Sequence, residues 1–220
     1  PYLYFLDEAG AQLLCQDLQI ERQQLDWHVR NNDVTALFLD HLLATNDIRI
    51  ALSLAAKAHG FTIDTWIDDN SLRKRETTQR VLIRGPEGGR LKVAVVPDGY
   101  FKLTTPADTF NFFVEIDRRT TTGQASKWGR RDWSRKVAAY CALYDSGAYQ
   151  QRYGTADMRV LTITTGVKRL ENLRQITEAT AQKQGPRFWF TSFEAAQAES
   201  ILTKAIWAVA GRMGLHTIAQ

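Results

Sequence analysis

Apolar positions between Val34 and Ala56 recur at helical spacing: Val34, Leu37, Phe38, Leu42, Leu43, Ile48, Leu52, Ala55 and Ala56. Asn32 or Asp33 is available as a cap, and Gly60 follows His59 as a stop, so a helix of about 26 residues is expected here. Before it, Tyr2–Leu6 alternates like a short strand and Glu8–Gln16 continues as a helical turn or two. After it, Phe61–Ile63 reads as a short strand, followed by Trp66-Ile67. The middle of the chain is strand-like over 80–84, 91–96, 100–103 and 110–117. The separators are Gly85-Pro86-Glu87-Gly88-Gly89, Pro97-Asp98-Gly99 and Thr105-Pro106-Ala107-Asp108. Such separators are hairpin punctuation and predict one antiparallel meander. Ser126 then opens a helix with an inner stripe of Trp133, Val137, Tyr140, Cys141 and Tyr144, closed by Gly147. Val160–Thr164 is a continuous apolar and β-branched run, as expected of a buried parallel strand. An amphipathic helix over 167–184, a strand at 188–190 and a helix over 193–199 complete the pattern, with no clear assignment for the tail through Trp207. The order predicts an α/β three-layer sandwich, a mixed sheet flanked by helices.

Composition narrows the class. At 220 residues, with 44% hydrophobic and 24% charged positions, the chain is long enough for one core and is not a disordered tail. No apolar run approaches the roughly 20 residues needed to span a bilayer, so no membrane role is expected. Cys15 and Cys141 are the only cysteines and sit among apolar neighbours, which predicts reduced thiols and a cytoplasmic location. The chain opens on Pro1 rather than methionine and is expected to be the remainder of a longer protein.

The charge is uneven. Arg118, Arg119, Lys127, Arg130, Arg131, Arg135 and Lys136 face the single acid Asp132 within 118–136, while the rest of the chain holds 21 basic and 23 acidic residues. A solvated helix face is the ordinary explanation of a charge run. A local excess on an otherwise slightly acidic chain points instead to a polyanion, with Arg118, Arg119, Lys127, Arg130, Arg131 and Arg135 as the nucleic-acid-binding set and Trp128 available to stack on a base.

This basic segment begins directly after a carboxylate pair. In a strand over 110–117, Glu115 and Asp117 share a face with Phe113, because successive side chains alternate. Two carboxylates so close raise each other's pKa unless a cation lies between them, and the natural partner of oxygen ligands is Mg²⁺ or Mn²⁺. Asp98, from the turn one hairpin earlier, is a candidate third ligand. Lys136 flanks the buried stripe of its helix with Tyr140 one turn later, and is placed to lean toward Glu115, with Lys127 at the helix start as the rival candidate. Plainer readings stand beside each of these. The carboxylates can serve as a solvated edge or pair with Arg118 and Arg119, Pro97-Asp98-Gly99 can be only a turn, and Lys136 can be a surface lysine. His28, His41, His59 and His216 lack zinc-ligand spacing, and no phosphate-binding glycine loop or nucleophile triad signature occurs.

Taken in order, His41–Arg49, Trp66, Pro97-Asp98-Gly99, Glu115-x-Asp117-x-x-Thr120 and Lys136-x3-Tyr140 resemble the replication-relaxation family over roughly residues 35–170. The resemblance implies a role in plasmid replication or relaxation of plasmid DNA, with duplex DNA and replication or mobilisation proteins as partners. It also implies an N-terminal winged helix-turn-helix, of which residues 1–30 would be a remnant or linker and 31–220 the main domain. The order of elements is similar to the PD-(D/E)XK nuclease core, which implies a restriction-endonuclease-like fold. Under that likeness Asp98, Glu115 and Asp117 are the metal and catalytic carboxylates, and Lys136 is a migrated catalytic lysine, since Asp117 stands where that lysine is expected. Three functions follow as alternatives: a metal-dependent endonuclease or nickase, an inactive DNA-binding accessory factor, and a partner-binding scaffold.

Overall fold

The computed structural model describes residues 4–25, 27–33, 35–74, 76–85, 88–118 and 132–219. The chain forms two compact units, Pro1–Leu43 and Ala44–Gln220, whereas the family resemblance implied a division near residue 30. In the first unit, α1 (Glu8–Leu18) is capped by Asp7, whose carboxylate accepts the Gly10 N–H at 2.7 Å. Arg22 grips both oxygens of Glu8 at 3.0 and 3.1 Å and lies over the Trp27 ring. Residues 4–6 form no strand there, and the rest of the strand expected at Tyr2–Leu6 lies outside the described residues.

The second unit follows from α2 (Ala36–Ala58), which begins in the first and ends before Gly60, whose φ of 68° suits glycine at a helix stop. The elements after it are β1 (Thr62–Asp68), α3 (Asp69–Arg73), β2 (Gln79–Arg84), β3 (Arg90–Val95), β4 (Gly99–Thr104) and β5 (Thr109–Asp117). They continue as α4 (Trp133–Asp145), α5 (Ala148–Tyr153), β6 (Arg159–Thr164), α6 (Val167–Ala181), β7 (Phe188–Ser192), β8 (Trp207–Val209) and β9 (Leu215–His216). A seven-stranded mixed sheet has the order β1-β4-β5-β6-β7-β8-β9. β5, β6 and β7 run parallel, with antiparallel strands on both flanks. The parallel centre explains the unbroken apolar run of β6: its residues from Val160 to Thr164 are all buried. Helices cover both faces, as the sequence pattern indicated. Ile48, Leu52 and Ala55 of α2 pack on one face with Phe112, Val114 and Ile116 of β5. Val137 and Tyr140 of α4 and Leu173 of α6 pack on the other with Phe113. Both crossovers, β5 to β6 and β6 to β7, advance the same way along the sheet, so a common handedness puts α4 and α6 on one side.

Two expectations are corrected, one lies partly outside the described residues, and the unassigned tail gains two strands. The single meander is two sheets: β2 and β3 form a separate hairpin, and β4 pairs with β1 and β5 instead. Pro97 cannot donate to a ladder and ends β3, while the inner face of the hairpin (Val81, Ile83, Val95) packs in the α4 cluster. The helix expected from Ser126 is described from Trp133, where Asp132 caps it by accepting the Arg135 N–H at 3.3 Å; Ser126 lies outside the described residues. Residues 193–199 are turns, not a helix, because Ser192 and Ser200 bond the local backbone and Phe193 N–H is drawn to Thr164 O at 2.9 Å. The unassigned tail contributes β8 and β9, anchored by the buried Trp207, whose indole donates to Ile201 O at 2.9 Å.

Candidate functional site: a buried carboxylate–lysine centre under a basic cavity

β5 ends on the two carboxylates, both on the α4 and α6 side of the sheet with Phe113 and both 2% exposed. Their partners differ. Glu115 accepts from the Lys136 ammonium at Oε2 and from the Tyr140 hydroxyl at Oε1. Lys136 and Tyr140 are one turn apart on α4, so helix periodicity alone aims both at one carboxylate. Asp117 is held from α6 instead: Arg169 donates Nε to Oδ2 at 2.8 Å and Nη2 to Oδ1 at 3.1 Å. Thr164, opposite Asp117 in the β5–β6 register, adds its hydroxyl at 2.8 Å.

Asp98 sits one residue before β4. Its N–H donates to Val114 O at 3.0 Å, and its Oδ2 accepts the Ile116 N–H at 2.7 Å, so the carboxylate itself extends the β4–β5 ladder beside Glu115. The glycine after it serves a close approach rather than a turn. A Cβ at Gly99 would stand 3.0 Å from the Trp66 ring, which stacks on Phe101 and carries the Arg49 guanidinium 5.3 Å above it. Arg49, Trp66 and Gly99, scattered in sequence, are thereby one packed group.

Burial pushes the Glu115 carboxyl up to about 7, against the pull of Lys136; the Asp98 charge adds to the rise. Desolvation opposes the charged form of Lys136, but the Glu115 and Asp98 carboxylates outweigh it and hold the amine above the ordinary lysine range. Burial first, and the Glu115 charge second, raise the Tyr140 phenol well above its usual value. Tyr140 is therefore a fixed donor, and Glu115 is poised between charged and neutral near pH 7.

A cavity of about 580 Å³ opens over this centre. Its walls carry five cations: Arg73 at the end of α3, Arg80 and Lys92 on the β2–β3 hairpin, and Arg135 and Lys136 on α4. Buried Glu115 and Tyr140 close it from inside, while the Lys136 side chain is 36% exposed and bridges the centre and the open space. Of the basic residues expected to meet nucleic acid, Arg135 lines this cavity and Arg118 is partly buried at the end of β5. Arg119, Lys127, Arg130 and Arg131, and Trp128 with them, lie outside the described residues.

As candidate ligands for Mg²⁺ or Mn²⁺, Asp98 and Glu115 are adjacent oxygen donors of the right chemistry. Both oxygens of Asp117 are engaged by Arg169, as both of Glu115 are by Lys136 and Tyr140. Among the described residues no group of three or more His, Cys, Asp or Glu side chains is arranged around a metal position. Sequence reasoning missed Arg169, Thr164, Arg73, Arg80 and Lys92. Only Thr164 left a local signal, since it ends the parallel strand beside the one that Asp117 ends.

The site is thus a buried acid–lysine–tyrosine centre beneath a cationic cavity in a mixed α/β sandwich. The chain belongs to the replication-relaxation family, whose model matches residues 1–158. That membership connects it with plasmid replication and relaxation, and so with DNA and replication-related partners. No curated protein and no solved structure shows significant similarity to the chain. No helix among the described residues is long and apolar enough to cross a membrane.

Proposed function

We propose that the second unit binds duplex plasmid DNA by seating the sugar-phosphate backbone in the cavity between the β2–β3 hairpin and α4. The observation that carries this reading is the convergence of five cations from three separate stretches of chain on one cavity, above one buried carboxylate. Clustered lysines and arginines bind backbone phosphate irrespective of sequence and release condensed counterions as they do so. Replacing Arg73 and Arg135 together by alanine should weaken binding to a short DNA duplex while leaving the thermal transition nearly unchanged. Equal affinity in the two proteins would sink the proposal.

A second reading, metal-assisted phosphodiester hydrolysis on a restriction-endonuclease-like scaffold, is favoured by the adjacency of Asp98, Glu115 and Lys136. Asp98 and Glu115 would hold Mg²⁺ or Mn²⁺, which when bound polarises a phosphate oxygen and acidifies a water. Lys136, half-exposed at the cavity, would leave Glu115 for the phosphate and stabilise charge that develops there. Asp117, locked to Arg169, would fix the end of β5. On this reading Lys136→Ala loses nicking of supercoiled plasmid by about 10²–10³ in rate and keeps DNA affinity nearly intact. Wild-type protein that nicks with neither metal would be a DNA-binding accessory factor.

A further inference from the structure

The β2–β3 hairpin is set apart from the main sheet and has two unlike faces. Val81, Ile83 and Val95 are buried against the α4 cluster. The opposite face presents Arg80, Leu82 and Arg84 from β2 with Arg90, Lys92 and Ala94 from β3, all exposed. Across the ribbon Leu82 stands opposite Lys92 and Arg84 opposite Arg90. Like charges directly opposed on a ladder are unfavourable in the isolated protein. Among the described residues none of these four cations forms an ion pair. The only acid in 79–96 is Glu87, between β2 and β3 in sequence. At the centre of this face Leu82 is 59% exposed, an apolar side chain framed by cations. Two of the cations, Arg80 and Lys92, also line the cavity above Glu115, so ribbon and cavity form one continuous basic surface.

We propose that this ribbon enters the major groove of duplex DNA, with Arg84 and Arg90 at base edges and Leu82 against thymine methyl groups. The proposal rests on the DNA-binding reading and adds to it the element that reads the groove. A two-stranded ribbon is about 5 Å between strands and fits a major groove about 12 Å wide, which also admits a recognition helix. Arginine forks match the guanine O6 and N7 acceptors in that groove, and an apolar side chain matches the thymine methyl. Arg80, near the base of the ribbon, and Lys92, opposite Leu82, would then lead the flanking phosphates toward the cavity.

The test compares dimethyl sulfate protection of guanine N7 and duplex affinity for the wild type, for Arg84→Ala/Arg90→Ala, and for Arg73→Ala/Arg135→Ala. Because Arg84 and Arg90 are exposed, the ribbon variant should melt like the wild type. Wild-type protein should shield N7 within its footprint. The ribbon variant should lose that shielding and at least about tenfold in affinity, the size expected when bidentate recognition of a base is removed. The cavity variant should bind more weakly yet keep the shielding. Unchanged N7 protection and affinity in the ribbon variant alone would overturn the ribbon proposal and leave the cavity reading intact. No change in either variant would overturn both.

Discussion

Glu115 and Asp117 differ by two positions on one strand, share a face, and are equally buried, yet they are built for opposite ends. Asp117 meets a planar guanidinium that fills both of its oxygens, a rigid fork that fixes the ends of β5, β6 and α6 together. Glu115 meets a lysine, a mobile point charge on a flexible stem, and that lysine reaches into an open cationic cavity. Burial alone therefore does not mark a reactive group. What distinguishes the two carboxylates is whether the counter-ion can be drawn away without leaving an orphaned charge in the core.

The comparison breaks first at Arg169. Arg169→Ala takes the fork from the buried Asp117 carboxylate, and breaking such a buried pair should cost about 3–5 kcal/mol in urea unfolding. Arg169→Lys should recover only part of this, because an ammonium cannot reproduce the fork. Recovery to full stability would show that the fork geometry is immaterial.

Glu115 gives the next largest effect, through pH. Burial holds its carboxyl at about 7 in the folded protein against 4.5 ordinarily, so the folded state binds this proton more tightly than the unfolded state. Its contribution is fully present below pH 4.5 and is lost as pH rises through about 7, by at most roughly 3 kcal/mol. Glu115→Gln should flatten that part of the stability profile, as read by denaturant midpoints across pH 4–8. A variant whose profile still falls like the wild type would assign the titration to another group.

Tyr140→Phe is the smallest change. It removes the donor to Glu115 Oε1 and should cost about 1–3 kcal/mol above pH 7. The same substitution should raise the Glu115 pKa further, visible in a carboxyl NMR titration. No movement of that resonance would mean that water replaces the hydroxyl.

Much of the scaffold was legible because its signals are local. Alternation in β5 put Glu115, Asp117 and Phe113 on one face, and the α4 stripe put Lys136 and Tyr140 on the side that meets them. What was not legible depends on which distant segments pair. The runs of β2 and β3 look no different from those of β4 and β5, and only the packing of Val81 and Ile83 on α4 separates them into another sheet. Arg73, Arg80 and Lys92 lie 43 or more positions before Arg135 in sequence, so the charge read within 118–136 supplies only two of the cavity's five cations. Arg169 follows Asp117 by 52 positions, and neighbouring Arg118 and Arg119 seemed the nearer partners. Gly99 reads as a turn glycine, whereas its small size makes room for Trp66.

The central claim is that the cavity over Glu115 and Lys136 receives DNA phosphate. Its most direct test is the salt dependence of duplex binding by Arg73→Ala/Arg80→Ala/Arg135→Ala beside the wild type. Every phosphate that the variant no longer neutralises should lower the slope of log K against log salt by about 0.9, so the variant's line should be visibly flatter. A line parallel to that of the wild type would mean that these cations meet no phosphate, and the account would be wrong at its centre.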